Sequence, residues 1–78
     1  MHISYDTEAD AIFVRFADGE GTPRNKPLDH QRYLVYDQND ELVGVELLQV
    51  SRGVSLEGIP RAKEIADAIR PLARIAAA

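Results

Sequence analysis

The stretch "YDTEADAIFVRF", residues 5–16, decides the fold, because it joins a run of acidic turn residues directly to an apolar strand. In its second half, apolar side chains fall at every second position, which places Ile12, Val14 and Phe16 on one face of an extended chain. Alternation with period two is typical of a half-buried β-strand. The stretch therefore predicts a turn that leads into a strand with one face on a core.

The acids in the first half of this stretch, Asp6, Glu8 and Asp10, resemble the first three ligands of a calcium loop. Such a loop also needs glycine at its sixth position and an acid at its twelfth, where this chain has Ala11 and Ala17. The pattern favours a turn instead: we expect Asp6 to accept a backbone N–H two residues further on, and Asp10 to close the turn. A weak cation site at the three acids is the less favoured alternative.

Three further strands are predicted around this one. Residues 2–5 form a short first strand, and the hydrophobic pattern resumes at Arg32–Asp37 and again from Leu42 to about Val50. The short turn "DQND" between the last two makes them an antiparallel hairpin. Residues 18–27, with two glycines and two prolines, are expected to form a loop. Gly44, inside the last strand, indicates a bulge or a close approach of two backbones.

After residue 59 the apolar period changes from two to that of a helix, at Ala62, Ile65, Ala66 and Ile69. Pro60 suits the first position of that helix, and Pro71 is expected to kink or end it. Residues 71–78 either restart as a short helix or fray. The fold class is therefore α+β: a small curled antiparallel β-meander of four to five strands, followed by one C-terminal α-helix that is kinked or broken at Pro71. Residues 1–78 form a single domain.

Length and composition suggest a thin core. The chain has 78 residues, and a chain of this size buries only about 60% of the surface that it exposes when unfolded. It has no cysteine for a disulfide, so we expect the domain to gain stability as a homo-oligomer, most simply a dimer. No segment has the apolar length of a membrane span or the pattern of a signal peptide, so a cytoplasmic location is expected.

The net charge of −4 is unevenly distributed. Residues 1–50 have ten acidic and four basic side chains, whereas residues 51–78 have three acidic and five basic ones. An acidic body repels nucleic acid and attracts a basic protein partner. Along the basic end, Glu64 and Asp67 alternate with the cations, which favours a solvated helix face with salt bridges over a nucleic-acid arm.

No constellation for catalysis or for a cofactor is present. His2 and His30 have no serine or cysteine placed beside them as a nucleophile, and the ligand clusters of a zinc site are missing. We therefore predict no catalytic residue and no cofactor. Glu46 stands in the middle of a strand, opposite the apolar face of Val43, Val45 and Leu47. Two interpretations stay open for it: a solvated carboxylate, which is favoured, or a partly covered one paired with a base such as Arg15.

The N-terminal stretch and "YLVYDQNDELVGVELLQVS", residues 33–51, resemble a small prokaryotic family of unknown function, DUF2283. The resemblance extends over residues 1–51, whereas residues 52–78 form an extension outside it. Thr7 stands where the family often has proline, and the turn at 38–41 lacks the usual glycine. The matching positions are Tyr5, Asp6, Glu8, Asp10, Ala11, Tyr36, Asp37, Val43, Gly44, Val45 and Glu46.

The resemblance implies a small curled antiparallel sheet and no established activity, cofactor or catalytic residue. Genes of the family often lie beside one for a ribonuclease-like toxin. Three functions follow as hypotheses: a non-enzymatic module for protein interaction or self-association, motivated by the thin core and the helix stripe Ile65, Ile69 and Leu72; an antitoxin-like protein that neutralises a basic toxin; and, least favoured, a metal-dependent hydrolase that uses Asp6, Glu8 and Asp10.

Overall fold

The computed structural model describes residues 1–76 of the chain. It contains five β-strands, one short 3₁₀ helix and one α-helix. The strands are β1 (His2–Asp6), β2 (Ala11–Arg15), β3 (Arg24–Pro27), β4 (Arg32–Tyr36) and β5 (Leu42–Leu48), and the helices are the 3₁₀ helix Val50–Arg52 and α1 (Ala62–Ile69).

All five strands form one antiparallel sheet in the order β1-β2-β5-β4-β3. The predicted α+β class, the antiparallel sheet and the single C-terminal helix are confirmed. The strand order is not that of a consecutive meander. After β2 the chain crosses to the far edge and forms β3, and β4 then returns it so that β5 pairs with β2 in the middle of the sheet.

The strand β3 lies inside residues 18–27, where the sequence predicts only loop. Its four residues are all exposed, and they pair with β4 from Arg24 opposite Tyr36 to Pro27 opposite Tyr33. Proline is tolerated at such a position because an edge strand needs hydrogen bonds on one side only. The prediction of a continuous loop was wrong because a short, polar edge strand has no apolar alternation to reveal it.

One face of the sheet, called the inner face here, forms the core with the chain that follows β5. Ile12, Val14, Val45 and Leu47 are at most 1% exposed, which confirms these positions of the predicted apolar faces of β2 and β5. Val43 of the predicted β5 face is buried but lies outside the core cluster, whereas Leu42 packs against it, because the register between β4 and β5 shifts there. Residues 53–76 cover this face with five buried side chains, namely Val54, Leu56, Ile59, Ile65 and Ile69. The C-terminal extension therefore supplies one side of the core, and the strands supply the other.

The helix α1 begins two residues later than predicted. Arg61 precedes it with a left-handed backbone (φ 59°), which interrupts the helix between Pro60 and Ala62. The helix ends at Ile69, as the position of Pro71 predicts. Ile65 and Ile69 of the predicted apolar stripe are buried in the molecule's own core, whereas Leu72 is 40% exposed.

The segment after Pro71 does not restart as a helix within the described chain. Ile75 forms a parallel bridge with Val54, in which Val54 N donates to Arg74 O at 2.8 Å and Ala76 N donates to Val54 O at 2.7 Å. These bonds hold the end of the described chain against the start of the extension. Residues 77 and 78 of the predicted segment lie outside the described residues. Within residues 1–76, no helix is long and apolar enough to cross a membrane.

Candidate functional site

The turn between β1 and β2 is organised by Asp6. Its Oδ1 accepts hydrogen bonds from the backbone N–H groups of Glu8 and Ala9, both at 3.0 Å. A carboxylate that accepts from the backbone two residues further on mimics a backbone turn. This confirms the predicted role of Asp6.

Asp10 ends the same turn and also fastens it to a distant segment. Its carboxylate accepts from Ser51 N at 2.9 Å and from Ser51 Oγ at 2.6 Å, and its carbonyl accepts from Val50 N at 3.0 Å. Asp10 has a left-handed backbone (φ 55°), a conformation that aspartate adopts more readily than most residues. The acid therefore connects the first hairpin to the 3₁₀ helix, and no motif in the sequence indicates this contact.

The structure does not gather Asp6, Glu8 and Asp10 into a metal centre. The carboxylates of two of these acids, Asp6 and Asp10, accept hydrogen bonds from backbone N–H groups, as described above. Residues 1–76 contain no group of three or more His, Asp or Glu side chains placed to hold a metal ion. His2 lies in β1 and His30 in the exposed turn before β4.

Asp37, at the end of β4, is the buried acid of the described chain, with 6% of its surface exposed. Its Oδ1 accepts from Asn39 N at 2.8 Å and from Glu41 N at 3.1 Å, and its Oδ2 accepts from Glu20 N at 3.1 Å. One carboxylate thus holds the β4–β5 turn and the loop that leads to β3. In the same turn Asp40 takes the left-handed conformation (φ 60°) for which glycine is the usual residue.

Burial alone would raise the pKa of Asp37, because it penalises the charged form. The N–H groups of Glu41, Asn39 and Glu20 outweigh that effect and hold the pKa below its ordinary value. The carboxylate is therefore charged at neutral pH and serves as a structural acceptor. The sequence places Asp37 at a turn but does not reveal its burial or its bond to Glu20.

The face of the sheet away from α1, called the outer face here, contains Gly44. A Cβ atom at this position would lie 2.6 Å from Val14 O and 2.9 Å from Cζ of Phe13, so the ring of Phe13 occupies the space above the glycine. Next to it, the register between β4 and β5 shifts at Val35 and Tyr36. The close backbone approach predicted for Gly44 is confirmed, and the register shift next to it is an irregularity of the kind that the predicted bulge would produce.

Glu46 lies on the outer face between two aromatic residues. It stands opposite Phe13 on β2 and opposite Tyr33 on β4. All three side chains are half-buried. We call them the Phe13–Glu46–Tyr33 row. Val35, which is buried, and Leu48, which is half-buried, share the face with the row.

The predicted alternative of an ion pair between Glu46 and Arg15 does not form in this structure. Arg15 Nε instead lies 3.9 Å from Oδ1 of Asp18, next to the end of β2. Among residues 1–76, Glu46 has no partner in an ion pair and accepts no side-chain hydrogen bond. The row therefore presents a carboxylate between two rings on a face that no helix of the described chain covers.

Elsewhere in the chain, an aromatic ring and a carboxylate bind an arginine between them. The guanidinium carbon of Arg61 lies 4.8 Å from the centre of the Phe16 ring. The same group donates to both carboxylate oxygens of Glu64, at 3.1 and 2.7 Å, and these bonds lower the pKa of Glu64. An aromatic ring and a carboxylate thus hold an arginine there between them.

A cleft of about 460 Å³ lies beside β3, at the edge of the sheet opposite to β1. Arg24, Lys26, Tyr36 and Asp40 line it together with Asn25 and Pro27. Arg24 pairs with Asp40 across the cleft. The cleft thus has a mixed charge, and none of its lining residues is a serine, a cysteine or a histidine.

Residues 2–51 match the model of a family described as "Protein of unknown function (DUF2283)". The chain belongs to this family. No curated protein and no solved structure matches it.

All five strands of the sheet lie within the residues that match DUF2283, and residues 53–76, which cover the inner face, lie after them. The match ends at Ser51, the residue whose backbone and hydroxyl groups bind Asp10. Among the other family positions, Tyr36 packs against the core and Tyr5 is 40% exposed on the edge strand β1. Ala11 pairs with Asp6 and Leu48 at the start of β2. The acidic family positions Asp6, Asp10 and Asp37 thus stabilise turns of the DUF2283 fold.

Proposed function

We propose that this DUF2283 protein is a non-enzymatic protein-interaction module whose outer face binds a basic partner protein. The observation behind the proposal is the Phe13–Glu46–Tyr33 row, a half-buried carboxylate that stands between two aromatic residues without a cation from the described chain. A partner arginine placed over this row would stack on a ring and donate to the carboxylate at the same time.

The surroundings of the row fit an interface. Leu48, which is half-buried, provides apolar surface beside the charge, and the centres of protein interfaces combine apolar contact with a few aromatic and arginine anchors. The net charge of −4 favours the approach of a basic protein. The structural roles of Asp6 and Asp10 in the first turn support this proposal over a metal-dependent hydrolase, because those acids already bind backbone groups.

A more specific candidate is an antitoxin-like role, in which the partner is a basic ribonuclease-like toxin encoded nearby. The distribution of acids favours it. Asp18 and Glu20 in one loop and Asp40 and Glu41 in the neighbouring turn are all exposed, and Asp37 holds the two segments together. These acids would accelerate association with a basic toxin.

The experiment is co-expression with the protein encoded by the neighbouring gene, followed by co-purification and a growth assay. We expect a stoichiometric complex that weakens at least tenfold in Glu46→Gln and hardly changes in Glu8→Gln, which removes the same charge at an exposed turn position. The affinity should also fall as salt is added. Absence of a complex would remove the antitoxin role, and a complex insensitive to Glu46→Gln would contradict the proposed surface.

A further inference from the structure

The two edges of the sheet differ in how they are protected from further strand pairing. At one edge, β3 consists of Arg24, Asn25, Lys26 and Pro27, and proline and charged side chains are what natural edge strands use against aggregation. At the other edge, β1 has the sequence "HISYD", with no proline, no lysine and no bulge in its pairing with β2, and its one acid, Asp6, stands at the end of the strand. The less protected edge is thus β1.

Exposed apolar side chains are concentrated at the same edge. Of the four large hydrophobic residues that are most exposed in the described chain, Tyr5 lies in β1 and Met1 directly precedes it, at 40% and 47% exposure. Ile3, between them, is half-buried and packs against the core. Strand pairing at this edge would therefore cover apolar surface as well as unpaired backbone groups.

We propose that β1 pairs antiparallel with β1 of a second copy of this chain, with Ser4 on the two-fold axis. The sequence of β1 is self-complementary in this register. All five residues then find a partner: His2 stands opposite Asp6 of the second copy, Ile3 opposite Tyr5, and Ser4 opposite Ser4. Moving the axis to Ile3 or Tyr5 would leave two residues of β1 without a partner in the other β1 and would separate His2 from Asp6.

The chemistry of each pair suits its place. An imidazole N–H of His2 can donate to Asp6, whose Oδ1 already binds the backbone of Glu8 and Ala9 while Oδ2 accepts no hydrogen bond within the described chain. An aliphatic residue opposite an aromatic one is a favourable cross-strand pair. The two-fold axis runs through the sheet, so the α1 helices of both copies lie on one side and the outer faces join on the other.

The association rests on one strand from each copy, so it should be weak. A stable protein interface covers about 800 Å² on each partner, and smaller ones belong to transient complexes. We therefore expect a dissociation constant on the order of 10 µM. This dimer is independent of the basic partner, since it leaves the Phe13–Glu46–Tyr33 row open.

Sedimentation equilibrium of the wild-type chain is the first test, compared with two variants of equal charge. Ser4→Lys places two like charges opposite each other on the axis and should weaken the dimer at least tenfold, whereas Asn25→Lys, at an exposed position of β3, should leave it unchanged. Both positions are exposed, so circular dichroism should show a native fold for each variant. A wild-type chain that stays monomeric up to about 500 µM would overturn the proposal.

Disulfide trapping tests the register itself, because the chain has no cysteine of its own. Residues directly opposite each other in antiparallel strands have Cα atoms about 4.5–5.5 Å apart, within the range that a disulfide spans. We expect Ser4→Cys to form a covalent dimer at least ten times faster than Asn25→Cys under mild oxidation. Equal rates in the two variants, or a dimer that Asn25→Lys weakens and Ser4→Lys does not, would overturn pairing through β1.

Discussion

The aromatic ring of Phe13 lies directly over Gly44, so that a Cβ atom on residue 44 would stand 2.9 Å from Cζ of the ring. The same Cβ atom would stand 2.6 Å from the carbonyl oxygen of Val14 in the neighbouring strand. Nonbonded atoms in a packed protein do not lie this close together, so a Cβ atom on residue 44 would force the ring or the neighbouring strand to move. The absence of a side chain at Gly44 therefore allows both the position of the Phe13 ring on the outer face and the close spacing of β2 and β5.

Gly44→Ala should destabilise the protein by about 3 kcal/mol, because the added methyl group must displace both the Phe13 ring and the Val14 backbone. Urea denaturation measures the change. Gly58→Ala is the matched control: its backbone also disfavours a side chain (φ 76°), but nothing lies within 4 Å, so a loss of only about 1 kcal/mol is expected. Equal losses in both variants would show that crowding at Gly44 is unimportant.

Asp10→Ala should cost about 1–2 kcal/mol of unfolding free energy, as the loss of a helix-capping acceptor does. The variant removes the bonds to Ser51 N and Oγ. Glu8→Ala, in the same turn, should change stability by less than about 0.5 kcal/mol, since Glu8 is exposed and uses only its backbone N–H there. Thermal and urea unfolding of the two variants should rank them in this order. An Asp10→Ala protein as stable as the wild type would contradict the role of Asp10 in holding the turn to Ser51.

Asp37 should make stability depend on acid pH. The pKa of Asp37 in the folded protein lies below its ordinary value of 3.8, so its charged form stabilises the fold fully above that pH. This contribution is lost as the pH falls through the folded-state pKa. We therefore expect the stability difference between wild type and Asp37→Asn to be constant from pH 7 to about pH 5 and to shrink below about pH 4. A difference that persists unchanged to pH 2 would contradict the account.

Arg32 should stabilise the contact between the sheet and the extension. Its guanidinium donates to Glu57 O and to Ser55 O, and Asp29 Oδ2 accepts from its Nε at 2.9 Å. Only 17% of the side chain is exposed. Arg32→Met should therefore cost about 1–3 kcal/mol. Arg70→Met, which breaks the exposed pair with Asp67, should cost about 0.5 kcal/mol or less.

Hydrogen exchange of the Val54 and Ile59 amides locates the effect of Arg32→Met. We expect these amides to exchange faster in Arg32→Met than in Arg70→Met, because the first variant loosens the segment that they belong to. If these amides exchanged at the same rate in both variants, Arg32 would not be stabilising the extension.

Much of the sheet could be predicted from the sequence, because its central strands have strong apolar alternation. Ile12 and Val14, or Val45 and Leu47, can share a face only in an extended chain, and these residues are buried in the structure. The strand β3 could not be predicted in this way. Its residues are all exposed, and it is held mainly by backbone pairing with β4, which leaves no apolar pattern in the side chains.

The contacts of the site depend on register and on long-range packing, which a single sequence does not specify. Asp10 and Ser51 are 41 residues apart, and only the pairing of β2 with β5 brings them together. The same pairing places Phe13 opposite Glu46. The turn at Asp6, in contrast, was predictable, because the acceptor and its donors are two and three residues apart.

The central claim is that the Phe13–Glu46–Tyr33 row is the surface that binds a basic protein. Isothermal titration of the purified protein with the product of the neighbouring gene tests it most directly, with Glu46→Gln and Glu8→Gln measured beside the wild type. We expect wild type and Glu8→Gln to bind alike and Glu46→Gln to bind at least tenfold more weakly, a loss of about 1.4 kcal/mol. Equal affinities for all three proteins would contradict the claim, whereas no binding by any of them would remove the antitoxin role.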